Sequence, residues 1–175
     1  MSLDQISGRI YGECSIRSCD VSLQISLYKE KIDPNLRKFF AYLGAKKVGS
    51  LTFEKRENQL LVRERMDGAW HSPVIAQLMD RIFCECLLRK SSDDKVLFAE
   101  VKLSNNLMRL YKMGFIPQND ELKKHLALCW RFRLSPHDIP LGERIQMIYS
   151  LDEDGRRYYD LIISRVPKPR NLKIE

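Results

Sequence analysis

The hydrophobic period of the chain changes near residue 72, and this change constrains the fold more than any other sequence feature. Residues 21–27 alternate between apolar and polar side chains, which is the pattern of a half-buried strand. Three further short apolar segments follow, separated from one another by turn-forming residues, at 38–43, 48–53 and 60–63. Four strands joined by short turns predict an antiparallel meander.

A helical pattern follows the meander. Ser72 and Pro73 are favoured at the cap and the first position of a helix, respectively. Apolar pairs then recur every four residues through 74–87, which predicts a helix with one broad apolar stripe that ends near residue 90. Residues 96–101 are largely apolar, as in a central strand. The order strand, helix, strand predicts a β-α-β crossover, in which the two strands are parallel.

The remaining elements are a helix from Ser104 to Met113, closed by Gly114, and a strand over the alternating residues 126–134. Residues 144–151 are predicted as a strand, and residues 158–166 as a strand or a short helix. The fold class is therefore α/β (α+β), with a mixed, mostly antiparallel sheet around a central crossover. We expect a single domain over 1–166 and a tail over 167–175, whose proline-containing start indicates an exposed end.

Composition and charge indicate which classes of partner and which cellular compartment suit the chain. The net charge is +7, from 30 basic and 23 acidic residues, and such a balance favours a polyanion, an acidic protein or a phosphate-bearing ligand as partner. No stretch is long and apolar enough to span a membrane, and no signal peptide is recognisable. The spacing of the five cysteines matches no usual zinc pattern, so no metal is expected. Cys84 and Cys86 are predicted to be buried thiols, which suits a reducing, cytoplasmic location.

The loop between the meander and its following helix contains Gly68. A helix N-terminus attracts anions, and a glycine lets the backbone approach a phosphate closely. This segment is either a phosphate-binding loop or an ordinary strand-to-helix junction.

The segment Leu110-Tyr-Lys-Met-Gly-Phe115 resembles the closing motif of GNAT-type N-acetyltransferases. Residues 97–101 occupy the place of that family's fifth strand, residues 40–51 resemble its hairpin, and residues 62–78 resemble its strand, pyrophosphate loop and helix. The similarity covers about residues 36–134. It implies a GNAT-like sheet with helices on both faces, and acetyl-CoA as a co-substrate.

Some positions depart from the family pattern. Asp67, Trp70 and Ser72 stand where the family favours Arg, Gly and Gly, so close approach of the loop to a pyrophosphate is in doubt. Few residues separate the first two predicted strands, where the family has one or two helices that shape the acceptor pocket. The acceptor amine therefore cannot be inferred from the resemblance.

The resemblance implies direct attack of an amine on the thioester. Tyr111 matches the tyrosine that reprotonates the CoA thiolate, and its alternative is a packing role beside Leu107 and Leu110. Glu64, Glu100 and His71 are the candidate bases. Backbone N–H groups near residues 63–65 would polarise the thioester carbonyl. The predicted cofactor contacts are Arg63, Arg65, Met66, Gly68, Ala69, Trp70, His71, Ser72, Val74, Ile75, Asn106 and Arg109.

Three functions remain open. The first is an acetyltransferase that acts on an unidentified amine, either a small molecule or a protein. The second is a catalytically degenerate GNAT-like fold that binds protein or RNA through a basic surface. The third is a plain nucleic-acid binder, for which residues 130–133 are the only run of interleaved aromatic and basic side chains. Residues 144–166 are a candidate dimer interface.

Overall fold

One mixed sheet of eight strands organises the fold, in the order β1-β2-β3-β4-β5-β6-β8-β7. The computed structural model describes residues 10–18, 21–67, 72–91, 96–101, 104–134 and 144–173. The strands are β1 (Ile10–Ser18), β2 (Val21–Asp33), β3 (Leu36–Leu43), β4 (Lys46–Arg56), β5 (Gln59–Met66), β6 (Val96–Val101), β7 (Phe115–Pro117) and β8 (Ile145–Tyr149). The helices are α1 (Pro73–Ser91), α2 (Ser104–Lys112), α3 (Asp120–Phe132) and α4 (Glu153–Arg165).

The predicted meander is confirmed and extended by one strand. β1 to β5 pair in sequence, each antiparallel to the next. The four predicted strands are β2 to β5, and β1 lies outside them on the edge. The predicted crossover is also confirmed, because β5 and β6 are parallel and α1 connects them.

The predicted strand over residues 126–134 is wrong, because this segment belongs to helix α3. The Asn119 side chain caps the helix by accepting a hydrogen bond from the backbone N–H of Leu122 at 3.1 Å. The buried residues Leu126 and Cys129 follow at helical spacing. Phe132, the last residue of this helix, is 60% exposed. Residues 130–133 therefore do not form the strand on which the third functional hypothesis depended.

Residues 158–166, which were predicted as a strand or a short helix, lie in α4 up to Arg165. Asp152 caps this helix by accepting a hydrogen bond from the N–H of Gly155 at 2.9 Å. The predicted strand over 144–151 is confirmed as β8. Because β8 pairs with β6 on one side and β7 on the other, both of its edges are occupied. The homodimer through residues 144–166 stays a prediction.

The end predicted to be exposed, at residues 166–170, is exposed at Pro167, Lys168 and Arg170, although its backbone is held against the sheet. Val166 and Leu172 are buried, and the backbones of Arg170 and Glu13 exchange two hydrogen bonds of 2.7 and 3.0 Å. Leu172 packs closely against Gly12 of β1. We call residues 166–173 the C-terminal strap, because they cover the outer edge of the first strand. Such cover protects an edge from pairing with other chains.

Helix α1 covers one face of the sheet. A side chain at Gly49 would meet the Met79 side chain of α1, which places this face of β4 against the helix. Leu51 and Phe53 lie on the same face by strand alternation and are fully buried. We call this the helix-packed face, and the other side of β3, β4 and β5 the opposite face.

Candidate functional site

The central opening of the sheet lies between β5 and β6. The two strands pair through three residues each, Gln59–Leu61 with Val96–Phe98. Beyond these pairs β5 continues to Met66 beside β4, and β6 continues to Val101 beside β8. The sheet therefore divides into two halves at the carboxyl ends of its two parallel strands. In α/β folds, ligands bind in the crevice at such a point.

Two helices begin at the same end of the sheet. α1 follows β5, and α2 follows β6. Neither helix has an acidic side chain in its first turn, which preserves the positive potential of the N-terminus. The Ser72 carbonyl accepts a hydrogen bond from the Ala76 N–H at 3.2 Å, as expected of a residue that caps α1.

A buried polar cluster lies between these elements on the helix-packed face. The guanidinium of Arg109, from α2, donates to both carboxylate oxygens of Glu64 on β5, with nitrogen-to-oxygen distances of 2.7 to 2.9 Å. It also donates to Asp80 of α1 at 2.5 Å. The side chains of Glu64 and Asp80 are each 6% exposed. Tyr158 of α4 completes the cluster by donating its hydroxyl to Asp80 at 2.5 Å.

Burial and charge together set the titration of this cluster. Burial raises the pKa of Glu64, although the adjacent Arg109 opposes the change. Burial acts to lower the pKa of Arg109, but the charges of Asp80 and Glu64 outweigh it and raise that pKa. Burial, together with the Asp80 charge and hydrogen bond, raises the pKa of Tyr158, so that its hydroxyl stays protonated. The cluster thus holds two carboxyl groups and one permanent cation.

Lys112 lies at the margin of the cluster. Its ammonium is 5.4 Å from the centre of the Trp130 ring, and that ring meets Tyr158 edge-on. Burial lowers the pKa of Lys112, against the opposing attraction of Asp80. The cation therefore lies between an aromatic ring and the buried acid.

The structure separates the two glutamates predicted as candidate bases. Glu64 lies on the helix-packed face, opposite Leu51 in the register. Glu100 is paired instead with Arg56 at 3.8 Å and with Arg144 at 3.3 Å. Arg56 also pairs with Glu54 at 3.4 Å, and Glu54 lies on the opposite face because its neighbour Phe53 lies on the helix-packed face. Glu100, which shares Arg56 with Glu54, therefore lies on the opposite face as well. His71, the third candidate, lies outside the described residues.

Tyr111 lies in α2 and is 2% exposed. It belongs to the hydrophobic core, together with Leu107 and Leu110. This is the packing position that an amphipathic helix predicts, and the catalytic role of Tyr111 stays a prediction. Gly114 closes the helix with a φ of +105°, a conformation that favours glycine.

The predicted cofactor contacts fall into three groups and one further residue, Arg109. Gly68, Ala69, Trp70 and His71 lie outside the described residues. Arg63, Arg65 and Met66 belong to the part of β5 that extends beyond its pairing with β6, and the two arginine side chains lie on the opposite face. Ser72, Val74 and Ile75 mark the start of α1, and Asn106 lies in the first turn of α2. Arg109 is engaged by two carboxylates, and a role in CoA binding stays a prediction.

Sequence reasoning missed Asp80 and Tyr158, as well as a second buried polar group next to them. Arg81 donates to Glu85 at 2.5 Å, and Tyr159 donates to the same carboxylate at 2.8 Å. The signal was present in α1, where charged residues at positions 80, 81 and 85 interrupt an otherwise apolar helix.

Cys84 and Cys86 are buried, as predicted. Burial raises the pKa of both thiols, which makes them poor nucleophiles.

The mixed, mostly antiparallel sheet around a central crossover confirms the predicted α/β (α+β) fold class. No family model and no curated protein matches the sequence. Among solved structures, an uncharacterized protein from Bacillus halodurans superposes with a TM-score of 0.52 at 9% identity, over 90% of this chain and all of that one.

Two further structures match with lower TM-scores. Escherichia coli ElaA matches with a TM-score of 0.41 at 17% identity, over 68% of this chain and 74% of that one. A Bacillus subtilis acetyltransferase in complex with CoA matches with a TM-score of 0.43 at 12% identity, over 67% and 78% of the respective chains.

Among the residues that the structure describes, no group of three or more His, Cys, Asp and Glu side chains is arranged to hold a metal ion. None of the described helices is long and apolar enough to cross a membrane.

Proposed function

We propose that this chain binds acetyl-CoA at the opening between β5 and β6 and transfers the acetyl group to an amine. The observation that carries the proposal is the separation of two parallel strands beyond Leu61, beside a helix whose first turn carries no acidic side chain. A helix N-terminus of this kind suits the pyrophosphate of CoA. The sequence motif that closes α2 supports the same reading.

The chemistry follows from the backbone and the candidate acids and bases. The amine attacks the thioester carbonyl carbon, and N–H groups of β5 near Arg63 and Arg65 stabilise the developing oxyanion. A base removes one proton from the ammonium form before or during attack. The thiolate of CoA then leaves, and Tyr111 supplies its proton.

Glu64 and Glu100 differ in the properties that matter for a catalytic base. Burial raises the pKa of Glu64, which makes it a stronger base, but both of its carboxylate oxygens are bound to Arg109. Glu100 is paired with cations on the opposite face and is 29% exposed. We propose that the base is one of these two residues, and that it acts directly or through a water molecule.

Thiol release from acetyl-CoA, measured with a panel of amines, tests the proposed activity. Tyr111→Phe preserves the ring and its packing, so we expect the variant to fold normally and to lose 10²-fold or more in kcat, an effect of about 3 kcal/mol. Thermal unfolding checks that the variant is folded. Unchanged kcat in a folded Tyr111→Phe protein would show that Tyr111 serves packing alone.

A comparison of Glu64→Gln with Glu100→Gln identifies the base. The variant that lacks the base loses the acidic limb of the pH profile of kcat/KM, whereas the other keeps that limb. If both variants keep it, neither glutamate is the base.

A further inference from the structure

A second surface lies on the opposite face of the sheet, away from the buried cluster. The register places Lys38 opposite Thr52, and Thr52 opposite Arg63. Arg65 lies two residues farther along the same face of β5. Six cations lie on this surface, which we call the cationic face: Lys38, Lys47, Arg56, Arg63, Arg65 and Arg144.

The paired carboxylates on this face lie beneath the cations. Asp67 is paired with Lys47 and Arg65, and its side chain is 20% exposed, whereas theirs are 41% and 79% exposed. Glu54 and Glu100 are 30% and 29% exposed, and their partner arginines are 44% to 61% exposed. The outermost layer of these ion pairs is therefore positive. Glu30 lies opposite Lys38 in the register and Asp33 lines the hairpin end of this face, so the face carries five acidic residues and six cations. The paired cations are more exposed than their carboxylate partners, so the face attracts anions.

Aromatic rings lie among these cations. The Phe40 ring lies between two ammonium groups, at 4.9 Å from Lys38 and 5.2 Å from Lys47. Tyr28 lies opposite Phe40 on the neighbouring strand, and its ring meets Tyr42 edge-on at 5.4 Å. Tyr42 is buried, whereas Tyr28 and Phe40 are half-buried. Sequence reasoning missed this set because its members come from three strands.

A cavity of about 670 Å³ opens on the same face, at the hairpin between β2 and β3. Lys38, Thr52, Glu54 and Arg63 line one side of it, and residues 33–36 of the hairpin line another. This volume is in the range of small-ligand sites. Its polar lining suits the sugar and phosphate of one nucleotide.

We propose that the cationic face binds single-stranded nucleic acid. The exposed cations contact the phosphates, and bases stack on Tyr28. Bases also stack on Phe40 once Lys38 and Lys47 turn from its ring to the phosphates. A row of cations alone would serve an acidic protein equally well, and the aromatic rings favour nucleic acid. This inference does not depend on acetyl transfer: Glu100 is shared with the proposed acetyl-transfer chemistry, but the nucleic acid would be held by the cations and rings of this face.

Fluorescence anisotropy with a labelled oligouridylate RNA of about 15 nucleotides tests the proposal. We expect the double variant Arg63→Gln, Arg65→Gln to bind at least tenfold more weakly. It should also reduce the salt slope of log K by about 1.4, since two phosphate contacts are lost. The control is Lys124→Gln, Lys168→Gln, which removes the same charge from exposed positions elsewhere and should change affinity less than threefold.

Phe40→Leu separates nucleic acid from other polyanions. Loss of a stacking ring should weaken RNA binding about tenfold and leave heparin binding unchanged. Thermal unfolding checks that each variant is folded, and Lys38→Gln, Lys47→Gln provides a second test if Phe40→Leu unfolds. The proposal is overturned if the control double variant weakens binding as much as the arginine pair. It is also overturned if heparin competes as well as RNA and the Phe40 ring has no effect.

Discussion

Arg109 is the residue on which the interior of the molecule depends most. It compensates two carboxylates that come from a strand and from a helix, and both are nearly removed from water. Without the guanidinium, Glu64 and Asp80 would be two buried acids with only Lys112, at the margin of the cluster, to balance them. Removing one partner of a buried ion pair costs more than the pair itself contributes, because the remaining charge is uncompensated.

Arg109→Ala should therefore lower the free energy of unfolding by about 3–5 kcal/mol, measured by urea denaturation. The matched control is Arg157→Ala, which breaks the exposed pair with Glu153 and should cost less than about 1 kcal/mol. Adding Asp80→Asn to Arg109→Ala should recover part of the loss. Equal effects of the two arginine substitutions would contradict the account of the cluster.

The raised pKa of Glu64 gives a prediction with a definite sign. The folded state binds this proton more tightly than the unfolded state, so the contribution of Glu64 to stability is fully present below its ordinary pKa of 4.5. The contribution declines as the pH rises from 4.5 through the folded-state pKa. In urea denaturation across pH 4 to 8, the stability of the wild type relative to Glu64→Gln should fall with rising pH. A relative stability that rises over this range would contradict the shift.

At the scale of elements, α1 shows where sequence reasoning stops. The apolar pairs that recur every four residues correctly predict a helix, and they place the charged residues 80, 81 and 85 on the side away from the apolar stripe. The structure nevertheless buries every residue from Leu78 to Leu87. α2 and α4 cover that second side, and their polar groups satisfy Asp80 and Glu85. The spacing of apolar residues within one helix predicts that the helix forms, but it does not show which other elements pack on its polar side.

The misassigned segment has a related physical cause. Residues 126, 128, 130, 132 and 134 are apolar or aromatic, but Leu128, Phe132 and Leu134 are exposed in the folded chain. The cap at Asn119 and the acidic first turn select the helix, and these local signals carry more information than the alternation. The meander was predictable because short turns join its neighbouring strands. The crossover was predictable because one helix joins two neighbouring strands.

The C-terminal strap is held by backbone hydrogen bonds to β1 and by three buried residues, Val166, Pro169 and Leu172. Leu172→Ala should cost about 2–4 kcal/mol by urea denaturation and expose the edge of β1 to self-association in size-exclusion chromatography. Ile163→Ala, on the exposed side of α4, is the control and should cost less than about 0.5 kcal/mol. Equal costs for both would mean that the strap does not stabilise the sheet.

At the scale of the whole molecule, the two faces of the sheet differ in chemistry. The helix-packed face holds buried carboxylates and a compensated arginine beside the opening of the parallel strands. The opposite face presents exposed cations. The opening itself was predictable from the order strand, helix, strand. The buried cluster was not, since its four side chains come from β5, α1, α2 and α4.

The central claim is that the opening between β5 and β6 binds acetyl-CoA, and isothermal titration tests it most directly. Ser72→Asp keeps a good helix cap but adds a negative charge where the pyrophosphate would lie, whereas Ser72→Asn keeps the cap and adds no charge. We expect micromolar binding to the wild type and to Ser72→Asn, and at least tenfold weaker binding to Ser72→Asp. No binding to the wild type at millimolar acetyl-CoA, or equal affinities of the two variants, would contradict the claim.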